Sequence, residues 1–195
     1  MLRYRSMCQV ASSKLKSTQR AKMKSMLIVV FCSSLVANIS AEQVLAKYDW
    51  RQLARTGQLP GGVAAEMDGK SVLKAVNTNA TPLKVQLLKI PKPPISKKLY
   101  AIKGEIKYDG VIGDGYLEMW NFFPPLKPGT PEGQYFSRTL GAGGEMGKIT
   151  GTSGWRSFRL PFDSTGGSGA PTRLEINLFL SSAGTVYLGP MTLVE

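Results

Sequence analysis

Two carboxylates, Glu118 and Glu175, stand among apolar residues in the stretches YLEMWNFF and RLEINLFL. A glycoside hydrolase works with such a pair, about 5–9.5 Å apart across the bond it cuts. The same positions also suit two solvated residues on the outer face of amphipathic strands. Around them lie rings: Tyr116, Trp120, Trp155 and Phe179. Such rings offer the apolar faces of sugars a large contact area at little cost in side-chain entropy. Asn177 and the carboxylates would hydrogen-bond hydroxyls, while Lys103 and Lys107 bring cations to the margin. Trp120 also has a core reading, because both faces of its strand are nearly equally apolar. The residues selected for binding a polysaccharide are Lys103, Tyr116, Glu118, Trp120, Trp155, Arg159, Glu175, Asn177 and Phe179.

Other chemistry is restricted by what the chain lacks. The 195 residues include no histidine, and the two cysteines, Cys8 and Cys32, both fall in the first 41 residues. The remainder therefore offers no imidazole base, thiolate nucleophile, disulfide or thiolate metal site. Asp109 and Asp114, with backbone carbonyls, could hold a structural calcium ion, although turn acids seldom do. No other cofactor is implied. GAGGEMG (Gly141–Gly147) lacks the lysine-serine ending and the glycine spacing of a phosphate-binding loop, and reads as a plain loop.

The charge is unevenly placed. The net charge is +12, but residues 1–41 hold seven Lys or Arg and no acid, leaving 18 basic against 13 acidic side chains in the rest. Seven lysines fall between Lys84 and Lys107, with Glu105 as the single acid. They suit a solvated surface, an anionic glycan or a cell-envelope polymer. Nucleic acid is not expected, because the run lacks the interleaved aromatics of single-strand binders.

A basic, Ser-rich opening, the apolar run Met26–Val36 and then ANISA follow the order of a secretory signal peptide. The segment 26–39 is too short to span a bilayer comfortably. The order predicts cleavage near Ala41 and a secreted, periplasmic or cell-envelope location for the product. Met23 is a competing start, and a transit peptide or an uncleaved anchor are the competing readings of the leader. Residues 42–195 then form a single domain, large enough to bury one core without cross-links.

Within that domain the period is two. Ile102, Ile106 and Tyr108 alternate with Lys103, Glu105 and Lys107; Leu117, Met119 and Asn121 alternate with Tyr116, Glu118, Trp120 and Phe122. Gly113-Asp114-Gly115 between them predicts a hairpin across Tyr100–Phe123. Further strands are predicted over 71–76, 82–90, 134–140, 155–162, 174–180 and 185–194, with Leu174, Ile176, Leu178 and Leu180 inward. Residues 42–60 read as one short helix capped near Gly57, with a strand over 48–53 in competition. Gly61 and Gly62 open a loop, and 141–154 is a glycine-rich excursion. Eight or nine strands joined by Gly/Pro loops predict an all-β antiparallel sandwich of jelly-roll type.

GDGYLEMWN, YFSRTL, GTSGWRSFRLPF, LEINLFL and GTVYLGPMTL together resemble the galactose-binding-like jelly rolls found among carbohydrate-binding modules and in exported bacterial proteins. The resemblance covers roughly residues 48–195 and is one of pattern; no binding signature is close enough to transfer. It implies sugar binding at loop tips or on a concave face, and often a structural calcium. The reading drawn from it is an exported, monomeric, non-catalytic glycan-binding domain. A hydrolase or lyase using Glu118 and Glu175 is the first alternative, and a cell-envelope structural or protein-interaction domain the second.

Overall fold

The computed structural model describes residues 42–139, 147–166 and 169–195. The leader and its cleavage site, and most of the GAGGEMG motif, lie outside them. The described chain is almost entirely antiparallel strand: β1 (Val44–Tyr48), β2 (Val63–Met67), β3 (Lys70–Asn77), β4 (Leu83–Pro91), β5 (Leu99–Phe123), β6 (Gly133–Arg138), β7 (Ile149–Asp163), β8 (Arg173–Leu180), β9 (Gly184–Leu188) and β10 (Met191–Val194). A single six-residue helix, α1 (Trp50–Arg55), sits between β1 and β2, its N-terminus capped by the Asp49 carboxylate accepting from the Gln52 amide at 3.0 Å. Gly57 follows the helix at φ 68°, as its C-terminal position predicts. The residues just before it are strand rather than helix, because Val44–Tyr48 pairs with β10.

The stretch Tyr100–Phe123 is not a hairpin. It is one strand of 25 residues, bent at a corner and shared by two layers. Its first half lies between β7 on one edge and β9 and β10, end to end, on the other. Its second half lies between β8 and β6. Gly110 at φ 60° and Gly113 at φ 73° supply left-handed backbone at the corner. Register shifts against β7 mark bulges over the same residues. The local turn chemistry is thus used to bend and twist the strand. Pairing with β7 and β8 keeps it from folding back.

One layer carries β1 beside β10 and β2-β3-β9, then the first half of β5, then β7. The other is β4-β8-β5-β6, using the second half of β5. The core between them takes Leu73, Ile102, Ile106, Phe158, Leu160 and Leu188 from the first layer. Leu87, Leu88, Leu117, Met119 and the inward residues of β8 come from the second. Leu174, Ile176, Leu178 and Leu180 are all fully buried, matching the alternation of that strand. A bulge in β4 between Gln86 and Leu88 turns both Leu87 and Leu88 inward. Near the end away from the corner, the Tyr100 hydroxyl donates to Asn121 Oδ1 at 2.9 Å and ties the two layers together. Strand β2 occupies residues read as loop, and β7 begins at Ile149, inside the presumed glycine-rich excursion. Both extra segments are held by pairing with a neighbour rather than by composition.

Candidate functional site

The outer face of the β4-β8-β5-β6 sheet is built in four rows, fixed by strand register. Lys84, Phe179 and Tyr116 lie side by side; next come Gln86, Asn177, Glu118 and Arg138. Then follow Lys89, Glu175, Trp120 and Phe136, and last Arg173, Phe122 and Gln134. Tyr116 and Phe179 stack with centroids 4.9 Å apart, and Trp120 leans on Phe136 at 5.1 Å. The Arg173 guanidinium covers the Phe122 ring at 3.7 Å.

Glu118 organises this face. It is only 2% exposed. Oε1 accepts from Trp120 Nε1 at 2.8 Å and Asn177 Nδ2 at 3.2 Å, and lies 2.6 Å from Lys84 Nζ. Arg138 Nε stands 3.4 Å from Oε2. Burial pushes the carboxyl up, but the hydrogen bonds from Lys84, Trp120 and Asn177 and the Lys84 charge outweigh it, so the group is held below the ordinary carboxylate range. Glu175 accepts from Arg173 Nε at 2.9 Å. Beside it an open depression of about 540 Å³ is lined by Lys84, Gln86, Trp120, Phe122, Gln134, Glu175 and Asn177. Trp120 is half-buried at its edge, with Lys84 Nζ 5.6 Å from the ring centroid.

Six of the residues selected from the sequence therefore meet on one face: Tyr116, Glu118, Trp120, Glu175, Asn177 and Phe179. Lys103, Trp155 and Arg159 do not. They belong to the first half of β5 and to β7, on the outer side of the other layer, so the bend that replaces the hairpin separates them from Trp120. There Lys103 and Arg159 both grip Glu42, and Trp155 Nε1 donates to Asp68 at 2.8 Å. The residues that sequence reasoning missed are Lys84, Gln86, Gln134, Phe136, Arg138 and Arg173. Their alternation in β4, β6 and β8 assigns each a face, but only the order of strands reveals which neighbours they join.

Asp109 accepts from Thr152 Oγ1 at 2.9 Å, and Asp114 pairs with Lys148 at 3.0 Å. Among the described residues no group of three acidic, His or Cys side chains is placed to hold a metal ion. Nor, among those residues, is any helix long and apolar enough to cross a membrane.

No protein-family model matches the chain, and no curated protein matches it. Among solved structures it is similar to "Family 16 Carbohydrate Binding Module-2", at 13% identity over 70% of this chain and 83% of that one, with a TM-score of 0.41. A carbohydrate-binding module described for specific mannan recognition aligns at 15% identity over 79% of this chain and 98% of its own, with a TM-score of 0.40. A chain of infectious bursal disease virus aligns at 12% identity over 80% of this chain and 36% of its own, at 0.34.

Proposed function

We propose that the outer face of the β4-β8-β5-β6 sheet binds a polysaccharide or envelope glycan without cleaving it, in a monomeric protein exported through the leader that ends near Ala41. The observation that carries this is the pairing of half-buried Trp120 with the open depression beside it. An aromatic edge on a shallow floor, rimmed by Gln86, Gln134, Asn177 and Glu175, presents stacking surface together with donors and acceptors for hydroxyls. The platform is fixed before any ligand arrives. Phe136 and the Trp120 Nε1 bond to Glu118 set the indole orientation, which spares the ordering cost of binding.

The hydrolase alternative is disfavoured by the state of its carboxylates. Glu118 and Glu175 are diagonal neighbours across β5 and β8, a relation of about 7–8 Å, so spacing alone does not reject them. A general acid, however, needs a carboxyl whose proton affinity is raised. Glu118 is held the other way, and Glu175 is occupied by Arg173.

The reading is tested by affinity electrophoresis and calorimetry against a panel of neutral and anionic polysaccharides. An open face of this kind should bind at about −4 to −8 kcal/mol, millimolar to micromolar. Trp120→Ala should remove retention on the gel that slows the wild type, while circular dichroism shows the fold intact. Equal retention of Trp120→Ala, or release of reducing ends or unsaturated products that stops in Glu118→Gln, would sink it.

A further inference from the structure

The end of the sandwich opposite the corner carries a different kind of surface. Leu126 is 78%, Leu99 63% and Tyr135 53% exposed there. They lie around a ring cluster. Phe162 lies 5.6 Å from Tyr100 and 6.0 Å from Phe123, and Phe123 meets Tyr135 at 5.9 Å. Three depressions join over these rings: one reaching Leu99 and Lys97, one over Phe123, Tyr135 and Phe162, and one reaching Leu126 and Lys127. A group of exposed large apolar side chains around one set of rings is unusual on a surface that faces only water.

On the strands several lysines and arginines are paired with carboxylates: Lys70 with Glu105, Lys84 and Arg138 with Glu118, Lys103 and Arg159 with Glu42. At this end Lys92, Lys97, Lys98 and Lys127 are all exposed, and among the described residues none is in an ion pair. The acids here that lack an ion pair accept hydrogen bonds from loop groups. Asp163 Oδ1 accepts from the Thr165 amide at 2.8 Å and from its hydroxyl. Glu195 accepts from the Ser96 amide at 2.7 Å and hydroxyl at 2.7 Å, and from the Lys97 amide at 2.9 Å. The projecting groups are therefore apolar tips and ammonium groups on long stems, with the Asp163 and Glu195 carboxylates beside Lys97 and Leu99.

We propose that this end docks onto an anionic phospholipid surface, with Leu99, Leu126 and Tyr135 entering the headgroup boundary and Lys97, Lys98 and Lys127 meeting lipid phosphates. Apolar insertion and basic attraction act together in interfacial binding, and lysine stems can lie along the apolar layer while their heads stay at the phosphates. The surface shares no residue with the sheet face bearing Trp120, so the two readings stand or fall apart.

Hydrogen exchange of the full chain, read by peptide mass spectrometry, isolates this end from anything the leader does. Vesicles containing phosphatidylglycerol should slow exchange in peptides covering 96–99 and 123–127, and raised salt should weaken the effect. Phosphatidylcholine vesicles should leave those peptides unchanged. Leu126→Glu, at a side chain too exposed to matter for folding, should lose the protection in both peptides, and Lys97→Glu with Lys127→Glu should do the same. Unchanged exchange at these two loops with anionic vesicles would overturn the proposal. So would equal protection by neutral vesicles, or protection that grows with protein concentration alone, which would mark a contact between copies.

Discussion

Replacing Glu118 by alanine separates its structural work from any part in ligand contact. The carboxylate serves Asn177 Nδ2 and Trp120 Nε1, and both donors lose their acceptor among the described residues when it goes. The Asn177 side chain is 4% exposed, so water reaches it poorly. A buried donor left unpaired costs about 1–3 kcal/mol, and half-buried Trp120 adds a smaller amount. Lys84 and Arg138 are exposed enough to hydrate once released, so their loss adds little. The expected destabilisation is about 2–4 kcal/mol, which in a domain of this size lowers the melting temperature by about 5–15 °C. Glu118→Gln keeps one acceptor and should fall by less than half as much.

Acid titration adds a second reading. The folded carboxyl is held below its ordinary value of 4.5, so its stabilisation is complete above that value. It is lost as pH falls through the lower folded value. Thermal melts of wild type and Glu118→Gln should therefore converge in acid and diverge at neutral pH. A Glu118→Ala melting point within about 2 °C of wild type would refute the view that this carboxylate holds the face together.

Other outcomes follow from the same coordinates. Tyr100→Phe removes the buried bond to Asn121 and should cost about 1–2 kcal/mol in chemical denaturation, with the backbone spectrum unchanged. Gly104→Ala would drive a methyl carbon to 2.9 Å from the Phe158 ring and 3.3 Å from the Pro190 carbonyl, so overpacking of about 1–3 kcal/mol should appear in the same assay. Burial pushes the Tyr48 phenol up to about 12 and Tyr100 higher still. The unfolded chain gives up these protons first, so stability should fall as pH rises past 10. Spectrophotometric titration should show both phenols ionising late.

The face of each strand was legible, and the neighbour of each strand was not. Leu174, Ile176, Leu178 and Leu180 alternate so cleanly that the outward set Glu175, Asn177 and Phe179 follows from the pleat alone. Tyr116, Glu118 and Trp120 follow by the same rule. Placing Lys103 beside them required knowing what Gly113-Asp114-Gly115 does, and a glycine at positive φ, as Gly113 is, serves a hairpin and a bulged corner equally well. The choice is made by β7 and β8, which arrive from more than 30 residues later in the chain and supply the backbone partners. Glu118 gave a local signal of exposure, an acid on the outer face. Its burial comes from Lys84 and Arg138 on two strands that no local pattern places beside it.

A strand that belongs to both layers also changes how the molecule can come apart. Sandwiches made of two separately wound sheets can in principle breathe by sliding or lifting one sheet from the other. Here β5 runs without interruption from the first layer into the second, and the Tyr100–Asn121 bond fastens its two arms near their free ends. Lifting either layer must tear the ladder that the other one shares. Protection against hydrogen exchange should therefore be nearly equal for Ile102 and Ile106 in one arm and for Leu117 and Met119 in the other. The two layers should then open together, and Trp120, on the strand they share, should adapt little to a poorly fitting partner.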